Sequence, residues 1–223
     1  MPMAGKGMLL TSMDIGAADE AEFNRWYDRE HLEERVAIDG FLEARRYIAI
    51  EGTPKYLSLY STATFEVLDS PAYGAALANQ TEWSKANIAR FKNMIRAVAR
   101  ITISRGNGRG ACLGIIRIRP ARGKEDELRA LLRDALDPSG LDGVISMHLL
   151  ENDPQLSKPL TEGASASDPG AGDWFWLIDY TDAIPPKFVA ERLKKCERYI
   201  GWVVSAGSYR LLWDLTKSDL SGT

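Results

Sequence analysis

Residues 7–15, GMLLTSMDI, are a short, mainly apolar run that predicts a first strand. A helical period then sets in. In DEAEFNRWYDREHLEERVAI, residues 19–38, apolar side chains recur every three or four positions behind an acidic opening, as in a helix whose N-terminus favours negative charge. Gly40 ends it, and GFLEARRYIAI reads as a strand. KYLSLYSTATFEV, residues 55–67, is a further strand after the turn EGTP. SPAYGAALANQTEWSKANIARF, residues 70–91, is a helix with Ser70 as N-cap and Pro71 at the first helical position. NMIRAVARITIS, residues 93–104, closes the series as a strand. The order is β-α-β-β-α-β.

RGNGRG, Arg105 to Gly110, is a glycine-rich break, and after it the order starts again. ACLGIIRIRP is a strand. GKEDELRALLRDALDP is a helix with Leu128, Leu131, Leu132, Ala135 and Leu136 on one stripe. GVISMHLLE and DWFWLIDYTD are strands, PPKFVAERLKKCERYI (residues 185–200) is a helix, and SAGSYRLLWDLT (residues 205–216) is the last strand. The pattern predicts an α+β chain made of two ferredoxin-like units, residues 1–106 and 110–223. Each sheet carries helices on one face. Leu57, Leu59, Ile101, Ile116 and Leu177 make the other face apolar as well, so the two sheets are expected to pack together as a barrel within one chain. Asn152 to Asp173 is a long Pro-, Gly-, Ser- and Asp-rich insert with no counterpart in the first half, read as a surface loop or a lid.

A net charge of −3 and 26% charged residues describe a globular protein without the basic excess of a nucleic-acid binder. No apolar run is long enough for a bilayer. The weak N-terminal patch does not look like a secretory signal, so a cytoplasmic location is expected. Cys112 and Cys196 have no metal-type spacing, and Cys196 falls on an apolar helical stripe. No cofactor or metal is expected.

The two histidines carry most of the candidate chemistry. His31 follows Phe23 and Tyr27 at spacings of four, with Trp26 and Glu30 in the next row, Asp28 three residues before it and Arg35 four after. A histidine beside a carboxylate and a tyrosine suits proton transfer. The same DREHLEER run also reads as a solvated, charge-paired face.

The stretch FNRWYDREHLEERVAIDGFLEARRY resembles the first helix and second strand of the EthD-like branch of the dimeric α+β barrel superfamily. Phe23, Trp26 or Tyr27, Glu30, His31, Gly40, Arg46 and Tyr47 sit where that pattern asks, and the likeness extends over roughly residues 8 to 100. The second half matches in element order and lacks the helix histidine. The resemblance implies a pocket between helix and sheet for a small, often aromatic molecule, and a barrel that relatives commonly assemble from two chains; a homodimer stays open here. Within it, His31 would be the general acid or base, Asp28 or Glu30 its partner, and Tyr47 or Arg46 an oxyanion donor. Tyr27, Trp26, Tyr60, Trp83, His148 and Trp176 would line the substrate site.

His148 lies in the strand position matching Arg45 and faces the space between the sheets if alternation turns it inward. A haem-ligand role is one reading of it, without the accompanying haem-peroxidase pattern. The expected activity is that of a cofactor-independent lyase or isomerase on a small aromatic or hydrophobic metabolite. The alternatives are a cofactor-free monooxygenase of a phenol, or a ligand-binding barrel without chemistry.

Overall fold

The computed structural model describes residues 3–135, 137–157, 172–182 and 201–220. The expected 185–200 helix, with Cys196, and most of the 152–173 insert lie outside the described residues.

The expected strand segments become strands β1 (Gly7–Asp14), β2 (Phe41–Glu51), β3 (Tyr56–Thr62), β4 (Lys92–Gly106), β5 (Cys112–Pro120), β6 (Val144–Asn152), β7 (Trp174–Tyr180) and β8 (Gly201–Thr216). The first four pair in the order β4-β1-β3-β2, and the last four in the matching order β8-β5-β7-β6. All neighbours are antiparallel. β2 then pairs with β8 from Glu43↔Thr216 to Glu51↔Ser208, and β4 with β6 from Ala99↔Asn152 to Gly106↔Ser146. The ring closes as an α+β barrel. The two sheets therefore meet along hydrogen-bonded seams as well as across a shared interior. The 15 residues of β4 and 16 of β8 give those strands the length to span both sheets, and closure leaves no open edge.

Strand alternation sorts the side chains into layers. Met8, Leu10, Leu57, Ala97, Leu113 and Leu177 belong to one cluster drawn from the inward face of the strands. Outside the first sheet, Phe23, Trp26, Tyr27, Leu32, Tyr56 and Tyr60 form a second cluster under the helices. Outside the second sheet, Ile116, Leu132, Met147, Trp174 and Trp176 form a third, against α5 (Glu125–Ala135). Leu57, Leu59, Ile101 and Leu177 face inward as expected, whereas Ile116 points outward, because residues 112, 114, 116 and 118 share the helix side of β5.

Helices α1 (Glu20–Trp26) and α2 (Leu32–Ala37) are joined through a π turn, Tyr27–His31. Gly40 follows with φ of +85°, and a Cβ there would lie 2.5 Å from Val67, so glycine is needed where the chain enters β2. Two expected elements are shorter than the pattern suggested. The 55–67 strand stops at Thr62, and Phe65–Asp69 coils into a 3₁₀ turn that buries Phe65 and Leu68. The 70–91 helix is two, α3 (Pro71–Ala78) and α4 (Glu82–Ile88), because Thr81 accepts a hydrogen bond from the Ser84 N–H and caps a new start. α5 (Glu125–Ala135) and the short α6 (Lys217–Leu220) complete the described helices. None of these is long and apolar enough to cross a membrane.

Candidate active site

The histidine helix opens with Glu20 and Glu22 in its first turn, where the N-terminal dipole favours acids. A regular helix would keep the positions after Tyr27 on a fixed 3.6-residue stripe. Here the Leu32 N–H bonds to the Tyr27 carbonyl five residues back, so one extra residue enters the turn. The stripe advances by that residue. Phe23, Trp26, Tyr27, His31, Leu32, Arg35 and Val36 become the buried side, while Glu30 and Glu34 are only partly covered.

His31 is 8% exposed and its Nδ1 has no hydrogen-bond partner. Its ring lies 4.2 Å from the Trp26 ring at 33°, 4.9 Å from Tyr27 and 6.3 Å from Tyr60, both edge-on. Burial first, then the positive charges of Arg35 and Arg46, hold the imidazole well below its ordinary pKa. His31 is thus a neutral base at neutral pH. Burial likewise pushes the Tyr60 phenol well above its usual range, which keeps it protonated.

Trp26 is fixed from behind. Its Nε1 donates to Glu30 Oε1 (3.2 Å) and Ser84 Oγ (3.1 Å), and the same carboxylate oxygen accepts from Thr81 (2.6 Å) and Ser84 (3.0 Å). Glu30 therefore ties the π turn to α4 and sets the wall on which His31 stacks.

Arg46, from the outer face of β2, lies under the same helix. It donates to Asp28 (2.8 Å) and Asn24 (2.6 Å), and its guanidinium sits 4.3 Å from the Tyr27 ring centre and 5.2 Å from that of Phe23. Asp28 also accepts from Trp213 Nε1 at 2.9 Å. The expectation that Asp28 orients the imidazole is corrected here: its carboxylate is engaged by Arg46 and Trp213, because it leaves the helix toward the β2–β8 seam.

Other expected members stand elsewhere. Trp83 donates to Glu22 at 2.7 Å, with Arg25 above its ring. Trp176 belongs to the outer layer of the second sheet, across the barrel from His31. Tyr47 points inward, because Arg45 and Tyr47 share the lumen side of β2 while Ala44 and Arg46 share the helix side. It accepts from Arg45 at 3.2 Å and is pushed up to about 12 by burial. Tyr47 and His31 therefore cannot meet in one cavity, since the sheet separates them.

His148 also faces the lumen. Its Nδ1 lies 2.7 Å from Ser104 Oγ and its Nε2 3.0 Å from Ser146 Oγ, with Asp179 Oδ2 at 3.8 Å. Burial and the neighbouring Arg45 charge pull its pKa down to about 3. With both ring nitrogens held by hydroxyls, it is a structural pillar of a polar network that includes Arg45, Asp179 and Glu43 and offers no free nitrogen to a haem iron. Among the described residues, no group of three or more His, Cys, Asp or Glu side chains could hold a metal ion.

The chemistry that converges is therefore a neutral imidazole on an aromatic wall, with protonated Tyr60 nearby and two guanidiniums acting on it. The residue that sequence reasoning noted but did not use is Arg35. Its spacing of four from His31 was visible; the π turn that sends both inward was not.

No family model matches this chain, and no curated protein matches it. Solved structures do resemble it over nearly the whole length. An anthrone oxidase-like protein superposes with a TM-score of 0.61 at 10% identity, covering 97% of this chain and 96% of that one. A candidate monooxygenase from Fusobacterium nucleatum gives 0.56 at 11%, covering 96% and 95%. A candidate chlorite dismutase gives 0.56 at 11%, covering 99% of each chain. At such identities the likeness is one of fold, and it places this chain among ferredoxin-like α+β barrels.

Proposed function

We propose that this chain is a cofactor-independent enzyme in which His31 acts as a general base on a small aromatic substrate. The observation that carries this reading is the His31 imidazole itself: neutral, stacked 4.2 Å from Trp26, with Nδ1 unpartnered. A base of this kind removes a proton from a weakly acidic C–H or O–H when the anion formed is delocalised over a ring and stabilised by nearby cations. Arg35 and Arg46 both act on this position.

Of the reactions open to such an anion, we favour oxygenation. An anthrone-type CH₂ that loses a proton to His31 gives an electron-rich carbanion that reduces dioxygen; the methylene becomes a carbonyl and water is released. Two proteins of like fold, one anthrone oxidase-like and one a candidate monooxygenase, support this choice. The lyase or isomerase reading uses the same base and returns the proton to another atom of the substrate without consuming oxygen.

The test is oxygen uptake with a panel of anthrones and electron-rich naphthols. The wild type is expected to turn over at least one of them, and His31→Ala to lose about two to four orders of magnitude in rate. Turnover with substrate proton exchange and no oxygen uptake would move the assignment to isomerisation. Wild-type turnover by His31→Ala would overturn the role of His31.

A further inference from the structure

The face of the first sheet that lies under the helices is apolar except along one row. Arg96, Thr11, Ser58 and Arg46 stand opposite one another across β4, β1, β3 and β2, and all four are buried. The rows on either side belong to the apolar cluster, with Leu9 opposite Tyr60 in one and Met13 opposite Tyr56 in the other.

The two arginines turn away from the middle of the row. Arg96 donates to the Leu156 carbonyl and the Tyr73 hydroxyl, and Arg46 to Asp28 and Asn24. Thr11 Oγ1 is left buried without a hydrogen-bond partner. The Tyr60 hydroxyl is in the same position, and Tyr60 is the diagonal neighbour of Thr11 on this face. Tyr27 and Ser58 lie beside that hydroxyl, but neither closes a well-formed hydrogen bond on it. A buried hydroxyl without a partner costs stability, and valine, of nearly the same shape, would fill a strand position such as Thr11 without that cost. Tyr27 crosses the row, with its ring over Arg46 and its hydroxyl 3.9 Å from Met13 Sδ. His31 stands edge-on to Tyr27 and Tyr60 at ring distances of 4.9 and 6.3 Å, and its Nδ1 is also unpartnered. Two hydroxyl donors and one imidazole acceptor therefore share a single layer with aromatic walls.

We infer that Thr11 and Tyr60 are substrate-binding residues whose hydroxyls donate to one carbonyl oxygen: the ligand class is a fused-ring aryl ketone with its acidic C–H turned to His31. This rests on the reading of His31 as the reactive base and assigns the groups that receive the charge it releases. As the C–H bond breaks, the proton passes to the imidazole nitrogen. The electron pair shifts through the ring system to the carbonyl oxygen, which becomes an enolate oxygen. Donors already placed at that oxygen bind it more strongly as the charge arrives.

The probes are xanthone, which carries the carbonyl without an acidic C–H, and xanthene, which has a methylene in its place. Binding is followed by equilibrium dialysis. Wild-type protein is expected to bind xanthone about tenfold more tightly, the worth of two modest hydrogen bonds. The carbonyl stretch of bound xanthone should lie at lower wavenumber than in hexane. Thr11→Val and Tyr60→Phe should each cut the preference about threefold and move the stretch back up. Thr11→Ser should keep both. Thr11→Val should melt at the same temperature as wild type or higher, since it removes an unpartnered buried hydroxyl. His31→Asn should keep the preference, which separates this inference from the base assignment: the preference can fail while His31-dependent turnover stands, and the reverse. Equal affinity of wild type for the two probes, no binding of xanthone, a preference undiminished in either Thr11→Val or Tyr60→Phe, or its loss in His31→Asn would overturn the inference. So would unfolding or a clear drop in melting temperature of Thr11→Val, because the hydroxyl would then serve the fold.

Discussion

His31 owes its character to its surroundings, and so does His148. Both are buried and both are held below their ordinary pKa, the first under a helix and the second inside the barrel. The consequence for stability has a definite sign. Above pH 6.5 neither folded nor unfolded chain protonates these rings, and the full stability is present. Below it the unfolded chain takes up protons that the folded chain refuses, so stability falls as the pH drops. For His148 the window runs from 6.5 down to about 3, which corresponds to a loss on the order of 5 kcal/mol when complete. Urea unfolding measured between pH 8 and pH 4 should show this decline, and His148→Asn should reduce its slope by about one proton. An unchanged slope in that variant would show that His148 titrates normally in the fold.

At the scale of elements, much was legible and the exceptions have causes. Short apolar runs between turns mark the strands, because several of them are covered on both faces, and the doubled order marks the barrel. The face on which a given residue falls was harder to read. β2 carries Arg45 and Tyr47 on one side and Ala44 and Arg46 on the other, so hydrophobicity alone does not decide which pair looks inward, and a shift of one residue exchanges them. The resemblance sets Tyr47 beside His31, whereas the pleat turns Tyr47 into the lumen. The π turn was invisible for a related reason: one added residue alters no composition, yet it turns Arg35 in. The break between α3 and α4 had a visible signal in Thr81, three residues before Ser84, which the continuous apolar pattern outweighed. Trp26, Tyr27 and Tyr60 stand around His31 because the π turn keeps the imidazole on the buried side of the helix.

For the whole molecule, closure is the main structural consequence of having both halves in one chain. Residues 1–106 alone would leave β2 without β8 and β4 without β6, two long unpaired edges beside an uncovered apolar interior. That fragment is expected to self-associate or aggregate. A well-behaved monomer with cooperative unfolding, seen by light scattering and denaturant titration, would show that the first half is complete by itself.

The reading proposed for this chain depends on His31 being a neutral, buried base at physiological pH. With only two histidines in the sequence, the direct measurement is a pH titration of the imidazole nitrogens by ¹⁵N NMR, with His148→Asn giving the assignment. The His31 signals should remain those of a neutral ring from pH 8 down through pH 5.5. A ring that becomes charged at or above pH 6.5 would be a solvated, paired side chain, and the proposed base would be lost with it.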